Sequence, residues 1–411
     1  MRIGYYAHHH GSGHCRQADK LAALLPQNLQ RNLVVFTSLS IDAYQFMTVD
    51  EEQIIRLSPE DQRGDEVLPG RAGQYWQPEC LHYSPIGNSD IQTRSWQILN
   101  AIKERNIDLM IIDVSVEVAM LCRTASVPYL YVRLAGIRDD TPHLNAFAGA
   151  LGLLAPYPQA LEAAETDSWL INKTLYLDFL ANKTANATSY GDFIASLKNL
   201  IHQNYKSNDK LIESTQKLSL NSEGKIKTKM ITVIKGYGGH EAIDAKLPEL
   251  RAVQPDAFIL SLGPISADKR AYVDIALEVP DVTPFIAHSD LLIMACGLNG
   301  IAQAYHYKTP LVVLPDERPH REQEVMAAAL VAQGRAIDWQ SFIKLSKKDL
   351  DIKSLSNLTI QTNHQQNPYS ADNKTAAQHF MDSLAYYTTA KIWFEEWLLP
   401  KLNLTPKSLK Q

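Results

Sequence analysis

Four histidines and two glycines are clustered in HHHGSGH, residues 8–14, directly after an apolar run that begins at Ile3. Imidazole accepts a proton near neutral pH, so a histidine held at such a turn could act as a general base. Gly11 and Gly13 let the chain leave a strand sharply and aim His14 outward from the start of the next helix. The positive helix end disfavours imidazolium and lowers its pKa. We predict His14 as the base and His10 as the second choice, with helix capping or phosphate binding by His14 as the alternative.

The three consecutive histidines also raise the question of a metal site. Adjacent residues on an extended strand point to opposite faces, so His8, His9 and His10 cannot all bind one ion from a regular strand. Partner cysteines or carboxylates at ligand spacing are missing from this stretch. We therefore predict no metal here.

Two further glycine-rich stretches follow apolar runs in the second half, KGYGGH at 235–240 and CGLNG at 296–300. A glycine turn between a strand and a helix presents backbone N–H groups and the positive helix end to an anion. The predicted anion-binding residues are Gly236, Gly238, Gly239, Gly297, Asn299 and Gly300. No GxxxxGK[ST] motif occurs, and no full GxGxxG precedes a suitably placed acid, which disfavours P-loop and dinucleotide sites. A tight turn without a ligand remains the alternative for each loop taken singly.

Charged residues follow two more apolar runs in the first half of the chain. Asp113 and Glu117 lie in IIDVSVEV, and Arg138 and His143 lie in VRLAGIRDDTPH. The carboxyl ends of parallel strands share one edge of a sheet, so both groups should border one site. The alternative is that Asp113 caps the following helix and the other charges form surface ion pairs.

Strand-length apolar runs alternate with helical patterns in both halves, which indicates βαβ units and parallel sheets covered on both faces. The predicted strands are Ile3–Ala7, Leu33–Thr37, Leu109–Asp113, Tyr129–Arg133, Met230–Ile234, Ala257–Leu262, Leu291–Ala295 and Leu311–Leu314. At 411 residues the chain exceeds the size of a single core. We expect an α/β protein with two Rossmann-like, doubly wound domains that face a cleft.

Composition sets the domain boundaries. Residues 181–228 are mostly too polar to build a core, although FIASLKNLIHQNY within them has helical spacing. Near the C-terminus, KIWFEEWLLPKL carries a wide apolar stripe that must be buried on a domain surface. We predict an N-terminal domain at 1–180, a linker or insertion at 181–228, a second domain at 229–385, and a C-terminal helix at 386–411 that crosses back to the first domain.

The overall charge limits the classes of partner. A net charge of −5 argues against nucleic acid or an anionic membrane as the main partner. The four cysteines are scattered without metal-ligand spacing, which suggests free thiols in a reducing compartment. With no apparent signal peptide and no run long enough to span a membrane, we expect a cytoplasmic protein, with peripheral membrane contact left open.

Several motifs occur in order between Asp281 and Gly334. They are Ser289-Asp290 before a strand, the loop Gly297–Gly300, Gln303 in the next helix, Thr309-Pro310, Pro315, and the run Arg321-Glu322-Gln323. Together they resemble the donor-binding half of GT-B glycosyltransferases, above all the peptidoglycan N-acetylglucosaminyltransferase and its relatives. The N-terminal GSGH followed by a helix also looks like the acceptor-domain loop of that family.

The resemblance implies roles for these residues. The loop Gly297–Gly300 would meet the donor diphosphate without a metal, and Phe285 would face the base. Gln303 stands where the family has an acid that grips the ribose, so it would bind without charge assistance. Glu322 and Gln323 would hold the sugar hydroxyls. The residues expected to bind the acceptor are Gly11, Gly13, Glu117, Arg138 and His143.

The leading functional hypothesis is an inverting, metal-independent glycosyltransferase that uses a nucleotide-diphosphate sugar, most simply a UDP-sugar, as co-substrate and needs no cofactor. Its acceptor would be a small molecule, a glycan or a lipid-linked hydroxyl. His14, His10 and Asp113 are the candidate catalytic residues. A nucleotide-sugar hydrolase that activates water with the same histidine, a sugar epimerase and a degenerate sugar-nucleotide binding protein remain as alternatives.

Overall fold

A computed structural model describes residues 1–8, 12–60, 78–180, 188–204, 217–218, 227–236, 241–346 and 375–403. The chain divides into two compact units. Unit 1 comprises Met1–Ala160, Ala164–Leu180 and Tyr369–Gln411, and unit 2 comprises Leu161–Ala163 and Ala181–Pro368.

Unit 1 contains a seven-stranded sheet in which all neighbouring strands are parallel. The strands are β1 (Ile3–Tyr6), β2 (Leu33–Thr37), β3 (Ile54–Arg56), β4 (Leu109–Asp113), β5 (Tyr129–Val132), β6 (Gly152–Ala155) and β7 (Thr174–Tyr176). Their order across the sheet is β3-β2-β1-β4-β5-β6-β7. The chain therefore reverses its direction of winding between β1 and β4, whose carboxyl ends lie side by side.

Helices connect these strands, and a C-terminal group joins them. They are α1 (Gly13–Ala23), α2 (Gln27–Gln30), α3 (Ser89–Glu104), α4 (Val116–Thr124), α5 (Thr141–Gly149), α6 (Ser168–Asn172), and, near the C-terminus, α14 (Ala376–Tyr386), α15 (Ala390–Trp393) and α16 (Leu399–Lys401). A π-helical turn, Phe394–Leu398, joins α15 to α16. Pro400 lacks the N–H that a regular helix would need at this point, which accounts for the irregular turn.

Unit 2 contains a six-stranded parallel sheet in the order β10-β9-β8-β11-β12-β13. Its strands are β8 (Met230–Ile234), β9 (Phe258–Leu262), β10 (Ile275–Leu277), β11 (Leu291–Met294), β12 (Leu311–Val313) and β13 (Ile337–Asp338). The winding reverses between β8 and β11. The loops that carry Gly236 and Gly297 thus leave adjacent strands at the same edge of the sheet.

The helices of unit 2 are α7 (Tyr190–Asn204), α8 (Glu241–Asp244), α9 (Leu247–Val253), α10 (Thr283–His288), α11 (Leu298–Ala304), α12 (Glu322–Ala332) and α13 (Trp339–Ser346). Short 3₁₀ turns lie at Glu51–Gln53, Gln159–Leu161, Ala267–Tyr272 and Pro319–Arg321. None of the helices in the described ranges is long and apolar enough to cross a bilayer.

Strand alternation builds a core on each face of the first sheet. Tyr5 of β1 packs into the core that also contains Leu21 of α1. Tyr6 faces the opposite side, with Ile98 of α3 and Phe147 of α5. Successive side chains of a strand point to opposite faces, so both tyrosines are buried in different surroundings.

The predicted fold class is confirmed, since each unit is a doubly wound parallel sheet with alternating helices. The eight predicted strands correspond to β1, β2, β4, β5, β8, β9, β11 and β12. The helical stretch inside the predicted linker forms α7 and belongs to unit 2. Helix α14, which the predicted boundary at residue 385 left with the second domain, lies in unit 1.

The C-terminal helices of unit 1 bury their apolar stripe in the same core as Tyr5. Trp393 is 0% exposed and stacks on Trp397 at a centroid distance of 5.6 Å. Leu398 and Leu402 join this core. The side-chain amide of Gln378 donates to the carbonyl of Leu24 at the end of α1, 2.9 Å away. The C-terminal group is therefore an integral part of unit 1.

Candidate active site

A histidine–carboxylate pair stands where the winding of the first sheet reverses. His14 is the second residue of α1, and Asp113 is the last residue of β4. The Nδ1 atom of His14 lies 2.9 Å from Oδ2 of Asp113, and the side chains are 17% and 1% exposed. An ionised carboxylate can only accept, so Nδ1 of His14 carries the proton and Nε2 is left as the basic nitrogen. This is the arrangement of a histidine general base held by a carboxylate.

Asp113 has a second donor. The hydroxyl of Tyr5 donates to the same Oδ2 atom at 3.0 Å. The other carboxylate oxygen, Oδ1, is buried and has no hydrogen-bond partner among the residues that the structure describes. Buried polar atoms are nearly always paired, so the exception marks this carboxylate as unusual.

The alternative role for Asp113 does not match the contacts. Ser115, rather than Asp113, caps α4, since its hydroxyl accepts from the amide of Val118 at 3.2 Å. The helix end is also not the only group that influences the charge of His14. The positive end of α1 disfavours imidazolium, but the carboxylate of Asp113 favours it. The pair explains how a proton taken up by His14 would be stabilised.

A second polar cluster follows β5 on the same sheet. Asp140 caps α5 and accepts from Nδ1 of His143 at 2.6 Å and from Nε2 of His82 at 2.9 Å. Nη1 of Arg138 lies 3.2 Å from Nε2 of His143. Burial, followed by the charge of Arg138, lowers the pKa of His143 to about 3. Burial opposes ionisation of Asp140, but the hydrogen bonds from His82 and His143 outweigh it and hold the pKa of Asp140 well below its usual value.

By distance alone, His82, Asp140 and His143 could hold a metal ion, since their ligand atoms lie within 4.8 Å of one another. The directions of the hydrogen bonds in this cluster do not suit a metal ion. A guanidinium can only donate, so Nε2 of His143 accepts from Arg138 and Nδ1 must carry the proton. Metal-binding histidines donate their second nitrogen to an acceptor, which is the opposite pattern. In this arrangement the cluster is a hydrogen-bonded network.

Glu117 ties this network to α4. Its Oε1 atom accepts from the backbone amides of His82 and Tyr83 at 2.9 and 3.0 Å, and its Oε2 accepts from the hydroxyl of Ser115. Glu117, Arg138 and His143 therefore lie in one connected region at the carboxyl edge of the first sheet. Their predicted role in binding an acceptor stays a prediction.

In unit 2, the described glycines of the predicted anion site lie at the reversal of the second sheet. Gly297 precedes α11, and a Cβ atom added to it would meet no atom within 4 Å. A Cβ on Gly300 would come within 3.0 Å of the methyl group of Met294. The space beside Gly297 is thus open, whereas a side chain at Gly300 would require the end of Met294 to shift by a few tenths of an ångström.

Gln323 joins the two loops at this edge. Its Oε1 atom accepts from the amides of Cys296 and Asp316 at 3.1 and 3.0 Å. These residues follow β11 and β12, so one side chain fixes both loops. Just before α12, His320 and Arg321 have positive φ angles of 58° and 54°, which non-glycine residues adopt rarely and often at functional sites.

The remaining predicted donor residues have diverse surroundings. Phe285 of α10 is buried, with its ring 5.3 Å from that of Phe193 on α7. The amide of Gln303 donates to the carbonyl of Asn299 one helical turn earlier, at 3.3 Å. Glu322 begins α12. None of these contacts tests the predicted role in binding a nucleotide sugar.

Some predicted residues lie outside the described part of the chain, namely His10, Gly11, Gly238 and Gly239, together with His9. Sequence reasoning also passed over Tyr5 and His82, which contact the two central carboxylates. Tyr5 reads as one more apolar residue of a buried strand. His82 stands alone, without a motif.

No protein-family model matches the chain, and no curated protein matches it in sequence. Solved structures do match it over nearly its whole length. MurG from Acinetobacter baumannii is 12% identical with a TM-score of 0.58, covering 94% of this chain and 100% of its own. The spinosyn rhamnosyltransferase SpnG is 15% identical with a TM-score of 0.53, covering 94% and 100%. A putative UDP-N-acetylglucosamine 2-epimerase from Listeria monocytogenes is 15% identical with a TM-score of 0.52, covering 96% and 98%.

These likenesses agree with the resemblance found between Asp281 and Gly334. At such low identities they establish the architecture alone. The chain therefore has the GT-B fold, with one Rossmann-like sheet in each of its two units.

Proposed function

We propose that this protein is a glycosyltransferase that moves a sugar from a nucleotide-diphosphate sugar, most simply a UDP-sugar, to an acceptor hydroxyl. The observation that carries the proposal is the 2.9 Å contact between His14 and Asp113 at the carboxyl edge of the first sheet. In this proposal, unit 1 supplies the general base that activates the acceptor. Unit 2 binds the diphosphate of the donor at the open loop that contains Gly297. The fold shared with MurG and the spinosyn rhamnosyltransferase supports the same assignment.

In the proposed reaction, Nε2 of His14 removes the proton from the acceptor hydroxyl. The resulting oxygen attacks the anomeric carbon on the face opposite the diphosphate, which inverts the configuration. The bond from the anomeric carbon to the diphosphate oxygen breaks, and both of its electrons leave with the nucleoside diphosphate. The proton on His14 is stabilised by the carboxylate of Asp113. Backbone amides near Gly297 stabilise the departing charge in place of a divalent cation.

The acceptor is proposed to bind near Glu117, Arg138 and His143, since these residues lie at the same carboxyl edge of the first sheet as the His14–Asp113 pair. It would be a small molecule, a glycan or a lipid-linked hydroxyl, and the net charge of −5 argues against nucleic acid as the main partner. We also propose a cytoplasmic location, which agrees with the presence of four free cysteine thiols.

A panel of UDP-, GDP- and dTDP-sugars tests this function. We expect one nucleotide diphosphate to raise the melting temperature, because a ligand at 100 times its Kd stabilises by about 2.7 kcal/mol. With that donor, a mixture of candidate acceptors should yield a glycosylated product of inverted configuration, and EDTA should not abolish its formation. Rapid release of free sugar without an acceptor would indicate a hydrolase, and conversion to an epimeric nucleotide sugar would indicate an epimerase. Binding without any product would indicate a binding protein or a transferase whose acceptor is absent from the mixture.

Replacement of Gly297 by valine locates the donor within unit 2. The added side chain meets open space, so the fold should remain intact while the approach of a diphosphate is blocked. Gly191→Val is the matched control, because Gly191 lies on α7 and its Cβ would also have room. We expect nucleotide-diphosphate binding to be lost only in Gly297→Val. Equal binding in both variants would place the diphosphate elsewhere.

A further inference from the structure

Tyr5 and Tyr6 are consecutive buried tyrosines on β1, and each directs its hydroxyl to a carboxylate. Tyr5 donates to Oδ2 of Asp113 at 3.0 Å, and Tyr6 donates to Oε2 of Glu60 at 3.1 Å. They lie on opposite faces of the sheet. Only Tyr5 therefore touches the carboxylate that holds His14.

The two donors to Asp113 use one oxygen. His14 Nδ1 and the Tyr5 hydroxyl both lie within 3.0 Å of Oδ2, while Oδ1 accepts nothing from the described residues. A buried carboxylate is stabilised by each hydrogen bond that it accepts. Every donor other than His14 thus reduces the negative charge density that Asp113 offers to the imidazole.

Tyr5 can fill this role at any working pH. Burial, followed by the negative charge of Asp113, raises the pKa of Tyr5 well above its ordinary value. The phenol therefore stays protonated and always donates. Since Tyr5 is 1% exposed and held in the sheet, its hydroxyl has one fixed direction.

We propose that Tyr5 is a positioning residue that fixes Asp113 and, by sharing its Oδ2 atom, keeps His14 less basic than a histidine paired with an unshared carboxylate. The catalytic meaning of this inference rests on the proposed function, because a base must be neutral to accept a proton. The effect of Tyr5 on the pKa of His14 can be measured without any substrate.

Other ionisable groups surround the pair. On α1, Cys15 lies close to Tyr5 and Asp113, and its thiol contacts the hydroxyl of Thr37. The ring of His8 lies 5.4 Å from that of His14. From β5, Tyr131 approaches Asp113, with Arg138 and Glu117 nearby. All of these groups are still present in Tyr5→Phe, which removes only the Tyr5 hydroxyl.

The test is an NMR titration of His14 in the full-length protein and in Tyr5→Phe, with the His14 resonance assigned by its absence in His14→Gln. Tyr6→Phe is the matched control, because it loses a similar buried hydroxyl on the other face of the same strand. We expect the pKa of His14 to rise by about 0.5 to 1 unit in Tyr5→Phe, since Asp113 then has one donor fewer. It should stay within about 0.2 units in Tyr6→Phe. Thermal melting verifies that both variants are folded.

An unchanged or lowered His14 pKa in folded Tyr5→Phe would overturn the inference, as would an equal rise in both variants. If the protein catalyses a reaction, the acid limb of its pH–rate profile should move up with the His14 pKa in Tyr5→Phe. A purely structural loss would instead lower the rate equally at all pH values. Because the titration needs no substrate, it decides the role of Tyr5 even if the proposed transferase activity is absent.

Discussion

The surroundings of His143 hold its imidazole in the neutral form. Its side chain is 2% exposed, and it donates to Asp140 while it accepts from Arg138. Protonation would place a second cation beside the guanidinium of Arg138 in a buried site. The network therefore requires a neutral imidazole, which makes His143 a structural member of the site at physiological pH.

This constraint predicts a loss of stability in acid. The pKa of His143 is about 3 in the folded chain, against about 6.5 in an unfolded one. Between these values the unfolded chain binds more protons, so the stability that is present above pH 6.5 falls as the pH is lowered. The slope contributed by this group approaches 1.4 kcal/mol per pH unit.

The free energy of unfolding, measured by denaturant titration from pH 7 to pH 4.5, checks the prediction. We expect a shallower pH dependence in His143→Gln than in the unmodified protein. His82→Gln is the control, because His82 donates to the same carboxylate from a more exposed position. Equal slopes in the His143 variant and the unmodified protein would show that the buried histidine does not cause the acid sensitivity.

At the scale of elements, Gln323 links the loops after β11 and β12 through its side-chain oxygen. The resemblance implies that Gln323 holds a sugar hydroxyl. Its Nε2 atom would do so, because Oε1 already accepts from the two loop amides. The two functions can be separated, because a carboxylate oxygen can still accept from both amides, whereas a hydrocarbon cannot.

We expect Gln323→Leu to be less stable by roughly 1–3 kcal/mol for each amide left unpaired, and to bind nucleotide diphosphate weakly because the loops lose their common anchor. Gln323→Glu should keep a higher melting temperature than Gln323→Leu, and it should lose more affinity for the intact nucleotide sugar than for the nucleotide diphosphate. Calorimetry with both ligands measures the difference. If Gln323→Glu binds the nucleotide sugar normally, the side chain is an anchor alone.

The sequence determined most elements because strands buried on both faces carry uninterrupted apolar runs. The strands that escaped prediction are β6, which has four residues and lies inside the first sheet, and β3, β7, β10 and β13, which are two or three residues long and form the sheet edges. Such short segments have too few residues for a period to be visible. Edge strands depend on a neighbouring strand for their hydrogen bonds, which single-sequence patterns do not encode.

The site was predictable in part for a similar reason. His14 and Asp113 each follow an apolar run, so their types and positions were visible, but their contact joins residues 99 apart in the sequence. The shared oxygen between Tyr5 and Asp113 depends on strand register and side-chain direction, neither of which a motif records. His82 reaches Asp140 from a segment without periodic pattern.

At the scale of the whole molecule, the chain returns to its first unit after completing the second. Trp393 is fully buried there, and its indole N–H donates to the hydroxyl of Ser383 at 2.9 Å. Truncation of a buried tryptophan to alanine typically costs about 3–5 kcal/mol. We expect Trp393→Ala to lower the stability of unit 1 by this amount while nucleotide binding by unit 2 persists.

Differential scanning calorimetry, with and without the nucleotide diphosphate, measures both effects. Ile392→Ala is the matched control, because the adjacent Ile392 is 39% exposed and its loss should have little effect. Equal stability of the two variants would contradict the view that the C-terminal helices are part of the core of unit 1.

The central claim is that His14, held by Asp113, accepts the proton from the sugar acceptor. The most direct measurement compares kcat of the unmodified protein, His14→Ala and His8→Ala with the donor and acceptor that the panel identifies, alongside the Kd of the nucleotide diphosphate. We predict that His14→Ala lowers kcat by about two to four orders of magnitude, with the Kd nearly unchanged, and that His8→Ala retains most of its activity. Full turnover by folded His14→Ala would contradict the account and show that the base lies elsewhere.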